Sequence, residues 1–160
     1  MLAHLAAADA IVRLRVAQSL PGIVGDPPAP EAIEALLALM EDPDADVRDW
    51  ATFGLGTMLA DVVDSDRIRD ALRARLNDRD GGVRGEALAG LACRQDSSAP
   101  DLILMRLQED SVRRAEFNAV SWMPDPRYLP ELLSWQEAFP ELDDWGRALA
   151  WANEECQALE

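Results

Sequence analysis

Asp42 to Gly56 reads DPDADVRDWATFGLG, and the order of residue types in that stretch decides the fold. Asp42-Pro43 stops any helix arriving from upstream, because the residue before proline is pushed out of the helical region. The carboxylates that follow suit a turn and a helix cap. Val47, Ala51, Leu55 and Met58 then recur at helical spacing, so a helix over about 46–60 buries one stripe.

Working outward, the same sentence recurs. Val12-Arg13…Val16…Leu20 matches Val47-Arg48…Ala51…Leu55, and Val83-Arg84…Ala87…Leu91 matches again. Val112-Arg113…Val120 matches with its alanine one place early, at Ala115; the intervals are 35, 36 and 29 residues. The last unit, DDWGRALAWA, keeps the acid-then-Arg-Ala sense but lacks the Val-Arg pair. A hairpin of about this size cannot bury its apolar face alone, so successive units must stack.

Between these helices lie others. Residues 2–24 read as a leading helix, or as one that starts at Ala10 with Asp9 as its cap. EAIEALLALMED follows Pro30 with Ile33, Leu36, Leu37 and Met40 as its stripe, and DRIRDALRARLND, capped by Asp64 or Ser65, carries Ile68, Leu72 and Leu76. DLILMRLQ, a helix over about 110–122, RYLPELLSWQEAF and a helix from about 144 to the end complete the series. Turns fall near 25–30, 42–45, 61–65, 78–82, 95–100, 123–126 and 140–143. No useful length of period-two alternation occurs, so no strand is expected.

The pattern resembles the HEAT repeat, in the short form common in bacterial HEAT-repeat domain proteins and related to the phycobilisome-lyase type. Asp42, Asp44, Asp46, Val47, Arg48, Ala51 and Leu55 carry the likeness, and Asp78, Asp80, Val83, Arg84, Ala87 and Leu91 repeat it. The resemblance implies an all-α fold, an α-solenoid with a right-handed superhelix of about four antiparallel hairpins behind a leading helix. One domain covers 1–160, with units over 1–25 (partial), 30–60, 66–94, 100–122 and 127–160. It also implies an arginine ladder, Arg13, Arg48, Arg84 and Arg113, each bonding an Asp of an acidic turn; a ligand-binding arginine row is the alternative.

On the helix over 46–60, Asp49, Thr52, Phe53 and Gly56 point away from the buried stripe. Their equivalents at the stated intervals are Leu14, Ala17 and Gln18; Gly85, Leu88 and Ala89; Arg114, Phe117 and Asn118. In HEAT arrays the second helices line the concave side, so Gln18, Asp49, Phe53, Leu88, Arg114, Phe117 and Asn118 are the candidate partner-binding residues. The other reading packs some of them against neighbouring repeats. Trp122, Trp135, Trp145 and Trp151 crowd the last third and serve either as an end cap or as a partner pocket. Arg67, Arg69, Arg73, Arg75 and Arg79, interleaved with Asp66, Asp70 and Asp78, suggest a solvated, salt-bridged outer face.

Composition narrows the function. The chain has 160 residues, 49% of them hydrophobic, and its net charge is −15. All fifteen basic residues are arginine. So negative a chain repels nucleic-acid phosphates and anionic lipid, which argues against either as a partner, and suits solubility. No apolar run approaches the length of a membrane span. Cys93 and Cys156 are far apart with no CxxC, which fits free thiols and a cytoplasmic location. His4 is the only histidine, so a His-based metal cluster or a Ser-His-Asp triad cannot be built. The His-Glu metal motifs of deoxyhypusine hydroxylase are absent, and the basic concave face of HEAT-like DNA glycosylases is not available here. Gly54-Leu55-Gly56 sits inside a helix and is no dinucleotide loop. The expectation is a non-catalytic module, monomeric, that needs no cofactor and binds a protein or peptide along a concave face. The alternative is an accessory to an enzyme that holds a prosthetic group, as phycobilin-lyase-like HEAT proteins do.

Overall fold

The computed structural model describes residues 9–138 and 144–159, with side chains at all of these except 144–146. Among the described residues there are nine α-helices and no strand: α1 (Ala10–Ser19), α2 (Pro30–Leu39), α3 (Ala45–Phe53), α4 (Asp66–Arg75), α5 (Gly81–Cys93), α6 (Ala99–Leu107), α7 (Arg114–Trp122), α8 (Leu129–Ala138) and α9 (Asp144–Gln157). They form the hairpins α2/α3, α4/α5, α6/α7 and α8/α9, with α1 ahead of them as a second helix. His4 and the turn expected at 140–143 lie outside the described residues.

The second helices α1, α3 and α5 each start where a side chain takes up otherwise unpaired backbone N–H groups. Asp9 accepts from the Val12 N–H at 3.1 Å. Asp44 accepts from Asp46 at 3.0 Å and Val47 at 3.3 Å, and Asp80 from Gly82 at 2.7 Å and Val83 at 3.3 Å. Of the two caps considered for α4, Ser65 is the one used, accepting from Ile68 at 3.3 Å.

The second helices α1, α3, α5, α7 and α9 pack directly on one another, whereas the first helices meet mainly through their own hairpins. The second helices therefore form the more closely packed of the two layers. Between the layers runs one core, with Leu36, Val47, Leu55, Leu72, Leu91 and Ile103 fully enclosed.

Of the two readings of the leading segment, a helix from Ala10 capped by Asp9 is the one seen. Four expectations change. Val12, expected on the buried face of that helix, is 50% exposed; Ala17 is the enclosed residue. The helix over 46–60 is α-helical only to Phe53, and Gly54–Met58 forms a π turn in which Leu59 N–H reaches back to Gly54 O at 3.1 Å. The wider turn rotates Met58 out of the core, to 46% exposure. Ile33 is only partly buried, and Ala32 and Ala35 take the core positions beside Leu36. The helix expected from 110 starts instead at Arg114.

The glycines of the π turn have a packing role. Gly56 and Gly90 bring α3 and α5 so close that a Cβ on Gly90 would lie 2.7 Å from the Gly56 Cα. The carbonyls loosened by the turn are taken by the buried Arg94 guanidinium, which donates to Leu55 O at 2.7 Å, to Val63 O at 3.2 Å and to Gly56 O.

Candidate functional site

The capping residues of the second helices put the repeat in a register different from the one expected. N-caps stand at Asp9, Asp44, Asp80 and Arg113, at intervals of 35, 36 and 33 residues. Three places beyond the cap come Val12, Val47, Val83 and then Glu116; four places beyond come Arg13, Arg48, Arg84 and then Phe117. Val112-Arg113 therefore imitates the motif one helical turn too early.

The arginine column divides accordingly. Arg13 grips Asp42 of the next unit at 2.6 and 2.9 Å, and Arg48 grips Asp78 of the next at 2.8 Å through both Nε and Nη2. Arg48 also donates to Asp42 O at 2.8 Å and Pro43 O at 3.2 Å. Burial pushes the Asp42 and Asp78 carboxyls up, but the arginines and the N–H groups of Asp44 and Asp80 outweigh it and hold both below the ordinary range. Among the described residues Arg84 reaches only backbone, Asp78 O at 2.8 Å and Arg79 O at 3.2 Å; two places before the next cap stands Ser111, where the earlier units have Asp42 and Asp78. Arg113 is an exposed cap residue and takes no place in the column.

The fourth unit substitutes another buried pair. Glu116 is fully enclosed, accepts from Arg106 Nη2 at 3.0 Å and takes the Arg113 N–H at 3.0 Å. Phe117 fills the place that arginine has elsewhere.

The new register also sorts the expected binding residues. Leu88, at 0%, and Phe117, at 1% exposure, belong to the core and cannot meet a partner. Gln18, Asp49, Phe53 and Asn118 are half-buried and Arg114 is exposed. At five places beyond the cap stand Leu14, Asp49, Gly85 and Asn118, and at nine places Gln18, Phe53, Ala89 and Trp122. Trp50, which the sequence did not single out for this face, is 38% exposed and meets Phe53 edge to face, ring centres 5.8 Å apart at 79°.

Two carboxylates on this face go without the partners that others in the fold have. Asp49 and Glu86 make no hydrogen bond or ion pair among the described residues. Asp49 Oδ1 is shut from solvent without a donor, against Gly82, where a Cβ would sit only 2.9 Å away. Burial, with Asp80 and Asp46 nearby, pushes the Asp49 carboxyl up to about 6; Arg113 only moderates this. Burial and the charge of Asp49 push Glu86 up to about 7, moderated by Arg114.

Of the tryptophans, Trp122 and Trp135 pack against the core, and Trp135 donates its indole N–H to Leu107 O at 2.9 Å. Trp151 is 49% exposed and reaches Glu155 at 3.0 Å; the Trp145 side chain lies outside those described. The arginines of α4 do more than line a solvated face. Arg69 and Arg73 reach across to Asp96, at 3.1 and 2.6 Å, and Arg75 reaches back to Met40 O at 2.9 Å. They clasp neighbouring hairpins. Among the described residues no three His, Cys, Asp or Glu side chains converge on a metal position, and no helix is long and apolar enough to cross a membrane.

This hairpin stack has known counterparts. The family pattern of HEAT repeats matches residues 38–121, more than half of the chain. The chain belongs to the HEAT-repeat family. YibA proteins of Escherichia coli K12 and of E. coli O157:H7 are each 32% identical to it over 100 residues, 62% of this chain. The chain covers only 35% of the length of these curated relatives. The X-ray structure of E. coli YibA overlays with a TM-score of 0.60 at 27% identity, covering 78% of this chain and 43% of that one. The HEAT match stops at 121, close to the end of α7.

Proposed function

We propose that this protein is a non-catalytic protein-binding module that takes a protein or peptide segment along the concave face of α1, α3, α5 and α7. The observation that supports this most is the Trp50–Phe53 pair, which stands out of the core on a second helix although a stacked array has ample buried places for aromatic rings. Rigid aromatic surface on a preformed scaffold suits partner recognition, because little conformational entropy is lost when a segment lies on it. The contact residues are Trp50, Phe53, Asp49, Arg114, Asn118 and Gln18, with Leu88 and Phe117 serving as the core beneath them.

The test places a photo-crosslinking amino acid at Phe53 and, separately, at Asp70 on the opposite layer, and irradiates each protein in extract of the source cell. A discrete adduct at Phe53, lost in Trp50→Ala and missing at Asp70, is the expected result. Equal adducts at both positions would remove the concave face from the proposal.

A further inference from the structure

The π turn that ends α3 also forms one wall of a cavity. Met58, which an unbroken helix would keep with Val47 in the core, stands 46% exposed there, and π turns within helices recur at functional sites. The chain leaving α1 forms the other wall. Pro21 packs on the π turn so tightly that a Cβ on Gly54 would lie 2.5 Å from the proline Cγ. Gly25, at a φ of 85°, then bends the chain back, and the Ala29 N–H closes the loop on Val24 O at 2.8 Å. Between the two segments the cavity has a volume of about 540 Å³, within the usual range for a ligand site. Pro21, Val24 and Leu59 make its buried floor. Met58 and Val62, the latter 48% exposed, stand at its rim with the exposed carboxylates of Asp26 and Asp61. Neither carboxylate makes a hydrogen bond or ion pair among the described residues, and no arginine lines the cavity.

We propose that this cavity receives an aromatic side chain of a partner polypeptide, with a basic residue next to it in the partner's sequence held by Asp26 and Asp61. This rests on the chain being a polypeptide-binding module, but it places an anchor at the loop edge after α1 and α3 rather than at Trp50 and Phe53. An aromatic ring suits walls of thioether, proline and aliphatic groups, because a methionine sulfur meets ring edges favourably. Two unopposed carboxylates at the mouth favour a cation beside that ring, and a net charge of −15 adds long-range attraction that weakens as salt is raised. A side chain hanging from a longer polypeptide fits better than a free small molecule. Half-exposed rim residues leave part of any guest in solvent, whereas a small ligand needs most of its own surface buried. The walls are in place before a partner arrives. The buried Arg94 guanidinium holds Leu55 O at 2.7 Å and Gly56 O beside it, which fixes the turn that carries Met58, and a preformed cavity loses little entropy on binding.

The probe is a blocked tetrapeptide, glycine-phenylalanine-arginine-glycine, titrated into the whole protein with carbon-13 methionine methyl groups and followed by NMR. Two control peptides carry citrulline for arginine or alanine for phenylalanine. Met105, 53% exposed on α6, is the internal reference for non-specific apolar contact. A saturable shift of the Met58 methyl is expected, with Met105 unmoved and each control peptide weaker by at least about fivefold. Asp26→Asn/Asp61→Asn should weaken the arginine peptide about fivefold and leave the citrulline peptide unchanged, and Val62→Ser should weaken both; circular dichroism of the variants stays that of the parent. No saturable Met58 shift, Met58 and Met105 moving together, or equal affinity for the arginine and citrulline peptides would overturn the proposal. A Trp50 indole shift in place of the Met58 shift would do so too, by seating the peptide on the concave face. A partner crosslinked at Phe53 that binds Asp26→Asn/Asp61→Asn and Val62→Ser undiminished keeps the module and removes the cavity from it. A peptide seated against Met58 when no partner is crosslinked at Phe53 keeps the cavity and removes the concave face.

Discussion

Replacing Arg48 by alanine and, separately, Arg84 by alanine asks how far the arginine column is structural. The two residues occupy the same place in successive repeats, so sequence alone assigns them one cost. The structure does not. Arg48→Ala removes two charge-assisted bonds to Asp78 and two to backbone carbonyls, and leaves the Asp78 side chain 5% exposed. Breaking a buried pair at one end costs roughly 3–5 kcal/mol. Asp78 keeps the Asp80 N–H at 2.9 Å and Arg75 at 3.5 Å, which places the loss at the lower end, about 3 kcal/mol. For a chain of this size that is a fall in Tm of about 6–12 °C. Arg84→Ala removes two bonds to carbonyls that water can reach, and costs about 0.5–1 kcal/mol. Thermal and urea unfolding followed by far-UV circular dichroism, at low and at high salt, measure both. Equal shifts for the two variants, or an Arg48→Ala loss that vanishes at high salt, would refute the assignment of Arg48 to a buried rung that ties α3 to the turn before α5.

Phe117→Ala removes a fully buried ring and should cost about 3–5 kcal/mol, whereas Phe53→Ala, at a half-buried ring, should cost no more than about 1–2 kcal/mol; urea midpoints for the pair check the revised register. Stability should also peak near pH 4. The folded-state values of Asp49 and Glu86, about 6 and about 7, lie above their ordinary 3.8 and 4.5, so the native state binds protons more tightly and stability falls as pH rises from about 4 to 7. Asp42, Asp78 and Asp96, the last held down to about 2 against its burial by Ser98 and Arg69, act the opposite way, and their contribution is lost as pH falls below the ordinary carboxylate range. Melting curves on either side of that maximum should show both limbs, and Asp49→Asn/Glu86→Gln should flatten the alkaline one by about 1–3 kcal/mol; an unchanged alkaline limb would mean that the two carboxyls are solvated.

What the sequence determined by itself is the order and type of the elements. Helix spacing of apolar residues, Asp and Ser caps and Pro or Gly breaks are local signals, and they located most of the helices and offered Asp9 as one of two starts for the first; the arginine ladder was implied only by the resemblance to HEAT repeats. The Val-Arg motif was also local, and there it misled. Val112-Arg113 matches the letters, but the helix starts where Glu116 can take the Arg113 N–H and meet Arg106, a partner in the last turn of another helix, α6. That shift moved Phe117 from the surface into the core.

Only the tertiary structure decided which side chains of a second helix face a neighbour and which face solvent. The inner layer is so closely packed that Gly56 and Gly90 nearly touch, which buries positions such as Leu88 that a helix wheel leaves open. The π turn at Gly54–Met58 changes the rotation per residue midway, so a period read from Val47 no longer holds at Met58. That the charge of Asp49 on α3 bears on Glu86 of α5 has no sequence signal, because the residues are joined by neither spacing nor motif. Charges on separate helices act on one another only when packing brings them near and keeps water away.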